Sequence, residues 1–215
     1  METKDINKKI IQASKKYKDH LLNHNFLIVY SHCNKLDYYE TVCLNIHYKH
    51  LTGIKTSIKA KDFFKKCYKG IIKPEEYTTS EDGSTELKLQ VILDAMEFEN
   101  TAKNIGFFNG KSGINLVSDM IVGNYVYSLG FVKDSNIPKY YVPNTLLKKN
   151  IKDVSLNPIG DIICIISKQV KDKQYNNVVY FREYYEMLEI DLPSSITDIL
   201  SDNVKQTIFK SEIKC

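Results

Sequence analysis

The stretch LVSDMIVGNYVYSLGFV, Leu116 to Val132, carries the clearest short-range signal in the chain. Two apolar and aromatic runs flank Gly123-Asn124. That dipeptide between β-prone runs marks a two-residue hairpin turn, because Gly and Asn tolerate the backbone angles such a turn demands. Pairing outward from Val122 and Tyr125 sets Asp119 opposite Ser128, on a face shared with Val117, Ile121 and Val126. Two polar groups on an otherwise apolar face either hydrogen-bond each other or line a cleft.

Segments on both sides extend the pattern. Phe26 to Ser31 and Tyr38 to Ile46 are rich in β-branched and aromatic residues, and Cys33 to Asp37 between them reads as the turn of a second hairpin. Asp161 to Ser167 and Asn177 to Phe181 form a third. Lys139 to Val142 reads as a short strand stopped by Pro143, with a helical turn over Asn144 to Lys149. Helical spacing places Ile6, Ile10, Ala13, Tyr17 and Leu21 on one face of residues 4–23, and Ala60, Phe63, Phe64 and Cys67 on one face of Ser57 to Lys69. Ser57 suits the start of that helix and Gly70 its left-handed end. A central helix is expected over about Thr85 to Asn104. A last one opens at Ser195-Ile196-Thr197-Asp198, with Ile196, Ile199, Leu200 and Val204 inward. Hairpins interspersed with helices, without regular β-α-β alternation, predict an α+β fold: an antiparallel β-sheet packed by N-terminal, central and C-terminal helices. No linker composition divides the chain, so a single domain over 1–215 is expected.

With 43% apolar and 26% charged residues, the chain has the composition of a globular protein and not of a disordered one. Its longest apolar runs are too short to span a bilayer, so no membrane association and a cytoplasmic location are expected. The five cysteines are widely spaced with no CxxC pair, which suits reduced thiols. The net charge of +4 is mild, but lysines crowd the first third, at Lys4 to Lys18 and Lys55 to Lys69, while acids gather around Glu75 to Asp82 and Glu183 to Asp202. Such a basic field fits a phosphate-bearing partner as well as two solvated helix faces. Arg182 is the only arginine, so phosphate contacts fall to lysine.

The histidines, His20, His24, His32, His47 and His50, all precede residue 51. No HExxH or CxxC accompanies them, no GxxxxGK[ST] or GxGxxG cradles a nucleotide, and no GxSxG elbow appears; neither metal nor other cofactor is expected. What remains is YKHLTGIKTSIKAK, Tyr48 to Lys61, where His50 is followed by Thr52, Lys55, Ser57, Lys59 and Lys61. An imidazole exchanges a proton near neutral pH, a hydroxyl holds a phosphate oxygen, and ammonium groups stabilise a pentavalent phosphorus. The other reading is that His50 caps the end of a strand running to Ile46 and hydrogen-bonds to backbone.

His50-Leu51-Thr52-Gly53-Ile54 after a strand, then Lys61-Asp62-Phe63-Phe64 with Cys67, resembles the phage nuclease-like domains grouped with barnase, EndoU, the tRNase colicins and RelE. So does Leu129-Gly130-Phe131-Val132 with Tyr140 to Leu147. The resemblance implies a nuclease-like core over about 26–153 with an extension over about 154–215, metal-independent RNA cleavage, and occurrence in phages, prophages and mobile elements, often as toxins. It implies His50 as general acid or base and Thr52 as the group orienting a phosphate oxygen. Proximity adds Lys59 and Lys61 as charge stabilisers, Lys55 and Ser57 as RNA contacts, and Tyr125, Tyr127 or Tyr140 as base-stacking groups. The expected partner is RNA, with tRNA as one candidate; a catalytically inert binder of RNA or of a bacterial or phage protein is the alternative.

Overall fold

Phe26 to Tyr30 is apolar without interruption, as a strand must be when both its faces are covered. The structure is a computed structural model that describes residues 2–33, 35–110, 117–182 and 194–209. Leu116, the acidic segment 183–193 and Cys215 lie outside the described residues. Strand β1 (His24–His32) turns Phe26, Ile28 and Tyr30 into the main core and Leu27 and Val29 into a second one. Along one edge it pairs antiparallel with β2 (Lys35–Cys43), and along the other with β7 (Gly160–Gln169).

The remaining strands link these two. β3 (Asn104–Phe107), β4 (Met120–Gly123), β5 (Ser128–Lys133) and β6 (Tyr141–Leu147) pair in succession, β3 joins β7, and β6 meets β2 in parallel at Tyr141 and Thr41. Of the eight strands among the described residues, all but β8 (Asn177–Phe181) therefore form a closed ring; β8 is attached to β7. The fold is α+β, mostly antiparallel, as expected. β7 and β8, which fall in the stretch read as an extension, are part of this one sheet.

Helices fill the main core from one side. α1 (Thr3–Lys16) runs on as a wider turn over Tyr17–Leu21, burying Ile6, Ile10, Ala13, Tyr17 and Leu21 as the spacing predicts. Asn23, at φ 61°, ends it in the left-handed region that Asn tolerates. α2 (Tyr48–Thr52), α3 (Ala60–Lys69), α4 (Ser84–Ala95) and α5 (Phe98–Thr101) contribute Tyr48, Leu51, Phe63, Leu89, Ile92 and Phe98 to the same core. α6 (Ile151–Val154) packs on Ile121. α7 (Ser194–Thr197), α8 (Asp202–Phe209) and the turn between them lay Ile196, Leu200, Val204 and Ile208 over the second core. Among the described residues no helix is long and apolar enough to cross a membrane.

Several boundaries differ from expectation. The central hairpin has a loop of Asn124 to Tyr127, because Asn124 Oδ1 accepts from the backbone N–H of Val126 and Tyr127 at 2.7 and 3.2 Å. Ser128 thus pairs with Gly123, and Asp119 is bonded through its backbone N–H to Phe131. A side chain at position 123 would collide with the Tyr127 carbonyl, so this turn demands glycine. The helix expected to reach Asn104 stops at Ala95, and Ile105 enters the core from β3. Pro143 does not stop β6: a register shift between Gly130 and Phe131 places Phe131 opposite Pro143, and an irregularity accommodates a residue without an N–H. The predicted helical turn over Asn144 to Lys149 is largely this strand. Ser57 lies before α3, which starts at Ala60 without a side-chain cap.

Candidate functional site

The strand expected to deliver the chain to His50 ends at Cys43, and a turn then leads into α2. That short helix is amphipathic. Tyr48, Leu51 and Thr52 are buried and hold it to the core, so Lys49 and His50 face outward; Gly53, at φ 71°, closes it with a left-handed residue. Lys49 Nζ donates to the carbonyls of Thr56 and Ile58 at 2.8 and 3.0 Å, which folds the following segment back along the helix. The exposed His50 is therefore presented by a helix, and the strand-end capping reading does not apply.

His50 and His47 line a cleft of about 380 Å³ together with Ile46 and Ala60. The opposite wall is the end of β5 and the loop after it, Val132 to Ser135, with Val142 to Asn144 of β6. Lys133 contributes a cation, its Nζ 5.5 Å from the centre of the Tyr141 ring. Asp134 Oδ1 accepts from the backbone and side chain of Asn136 at 2.8 and 3.0 Å. Burial, followed by the neighbouring ammonium groups of Lys49 and Lys88, lowers the pKa of His50. Burial takes His47 further, down to about 4, against the opposing pull of Asp134. Both rings are thus biased to the neutral form near pH 7.

The other anticipated residues divide. Thr52 is fully buried; its hydroxyl donates to Lys49 O at 2.7 Å and accepts from Ile54 N–H at 3.2 Å, so it locks the helix end and cannot reach a phosphate in this arrangement. Lys55 and Ser57 line a separate cavity of about 330 Å³ beside Glu75 and Glu76, a poor place for an anion. Lys59 and Lys61 are exposed on either side of cleft-lining Ala60. Tyr125 is 81% exposed in the β4–β5 loop. The cleft lies at the far end of β5 from that loop, roughly 17 Å away at about 3.4 Å per residue. Tyr127 is fully buried with its hydroxyl 2.7 Å from that of Thr101, which leaves no ring face for a base. Tyr140 is half-buried, with Lys139 Nζ 5.1 Å from its ring centre, and is not among the residues lining the cleft. His47 was not anticipated; its signal was the three-residue spacing to His50, which puts two imidazoles near one helical face.

Among the described residues no three His, Cys, Asp or Glu side chains come together so as to hold a metal ion. Residues 9–184 match the family model described as PBECR4, phage-Barnase-EndoU-ColicinE5/D-RelE like nuclease4. The chain belongs to this family. The PBECR4 match covers the cleft, the whole ring of strands and β8. No curated protein and no solved structure matches the chain.

Proposed function

We propose that this PBECR4 protein is an endoribonuclease of phage or mobile-element origin that works as one unit in the cytoplasm. It cleaves RNA, with tRNA as one candidate, without a metal ion, using the substrate's own 2′-hydroxyl as nucleophile. The observation that carries the reading is His50, an exposed imidazole in a cleft of about 380 Å³ on a chain of a nuclease-like family. Its lowered pKa leaves the ring lone pair free near neutral pH, which suits it to take the 2′-hydroxyl proton as that oxygen attacks phosphorus. Attack expels the 5′-oxygen and leaves a 2′,3′-cyclic phosphate. Lys133 in the cleft, with Lys59 and Lys61 at its rim, offers positive charge to the pentavalent phosphorus.

The test is to incubate the native protein and His50→Ala with total RNA and bulk tRNA in EDTA and to map the ends. Cuts by the native protein alone, ending in 2′,3′-cyclic phosphate, are the expected result. Intact RNA with salt-sensitive binding would refute the enzyme and assign the cleft to an inert module that holds RNA or blocks a bacterial or phage protein.

A further inference from the structure

His47 is 5% exposed, lines the cleft, and has one ring nitrogen accounted for: the Leu44 backbone N–H donates to its Nδ1 at 3.1 Å. A neutral imidazole carries a single ring hydrogen, so a lone pair engaged at Nδ1 places that hydrogen on Nε2. Nε2 is buried and has no hydrogen-bond partner among the described residues. Buried donors are almost always satisfied, and one left open beside a cleft marks where an acceptor belongs. Burial outweighs the opposing pull of Asp134 and, with a smaller contribution from His50, disfavours a second proton, so the ring stays a neutral donor of fixed tautomer. His47 is therefore unsuited to act as a base, unlike His50, whose ring nitrogens have no such backbone partner in the hydrogen bonds observed.

We propose that His47 Nε2–H is a donor to a non-bridging oxygen of a phosphodiester bound in the cleft. This rests on the reading of the cleft as an RNA-cleavage site and gives that site its oxyanion contact. Lys133 is a cation lining the same cleft, and exposed Lys59 and Lys61 flank cleft-lining Ala60 in the chain; the acidic group of the same wall, Asp134, has one oxygen engaged by Asn136. As the 2′-oxygen adds to phosphorus, negative charge grows on the non-bridging oxygens, and a donor already held in place by Leu44 needs no reorganisation to meet it. Ile46, 40% exposed and next to His47 in the chain, lines the same cleft.

The test combines a spectrum with two variants. A long-range 15N–1H spectrum of the native protein should show His47 as the neutral Nε2-protonated tautomer, and a 2′-O-methyl oligonucleotide, which cannot be cut, should shift its Nε2–H. His47→Asn keeps an oxygen to accept the Leu44 N–H but has no donor at the Nε2 position; it should lower kcat by about 100-fold with little change in KM. His47→Gln, which returns an N–H near the Nε2 position, should recover part of that loss. A shift at His47 with no RNA cleavage would uphold the donor while overturning the nuclease reading. Cyclic-phosphate products formed at the native rate by His47→Asn would do the reverse. An Nδ1-protonated tautomer, or an oligonucleotide that leaves His47 unshifted at saturation, would overturn the proposal without reliance on any variant's folding.

Discussion

Replacing Glu99 by Gln should stabilise the protein at alkaline pH and do almost nothing in acid. Glu99 lies in the first turn of α5 and is 3% exposed; its Oε1 meets His20 Nδ1 at 2.9 Å and Asn100 Nδ2 at 3.2 Å, while Oε2 is buried without a partner among the described residues. His20 is shared, with its Nε2 3.2 Å from Glu97, which in turn holds Lys16 at 2.6 Å. Burial dominates and pushes the Glu99 carboxyl up from 4.5 to about 7, against the opposing pull of His20. At 1.36 kcal/mol per pH unit this amounts to about 3 kcal/mol. Because the folded pKa lies above the unfolded one, that stability is fully present below about pH 4.5 and is lost as pH rises through about 7. A neutral amide of the same shape escapes the loss. Thermal melts of both proteins should coincide near pH 4.5 and separate by roughly 6 to 12 °C at pH 8, with Glu99→Gln the more stable. A Glu99→Gln protein that melts lower than the native one at pH 8 would refute the reasoning, since the charge pair with His20 would then outweigh the desolvation of the carboxylate.

Thr52→Val should cost about 1–2 kcal/mol in urea titrations through the lost hydroxyl bonds to Lys49 and Ile54, while RNA cleavage per folded molecule stays unchanged; a selective loss of cleavage would return Thr52 to the site. Changing Lys59 and Lys61 to Gln should flatten the dependence of log affinity for a single-stranded RNA on log salt by about 0.7 for each lysine that contacts a phosphate, and an unchanged slope would remove both from the interface. Iodoacetamide at pH 8 should label exposed Cys33 quickly and leave Cys43, Cys67 and Cys164 untouched until unfolding, because burial pushes Cys67 and Cys164 up to about 12 and Cys43 higher still. Mass spectrometry of the labelled protein reads the difference; rapid labelling of any buried thiol contradicts the packing described.

Much of the fold was legible because its signals are local. The stripe Ile6, Ile10, Ala13, Tyr17 and Leu21 specifies a buried helical face by spacing alone, and Gly70 adopts the left-handed end that its position suggested. The hairpins β1–β2 and β7–β8 follow from apolar runs separated by turn residues. Where local signals compete, they mislead. Ile105 falls on the apolar line of the expected central helix and Gly106 at its end, yet both lie in β3, because pairing with β4 and β7 outweighs helix propensity there.

The sequence by itself determined the α+β class, the family and the nomination of His50, since periodicity, turn chemistry and a short motif are all properties of neighbouring residues. Only the tertiary structure decided that β7 lies between β1 and β3 and closes the ring, by pairings across more than a hundred residues to β1 and more than fifty to β3 that no local pattern encodes. It also separated residues adjacent in the chain: His50 lines one cavity, Lys55 and Ser57 another, and Thr52 neither. The open donor on His47 has the same origin. Its tautomer depends on a neighbouring backbone N–H, but its burial and its place in the cleft depend on strands β5 and β6, brought to it from some ninety residues away.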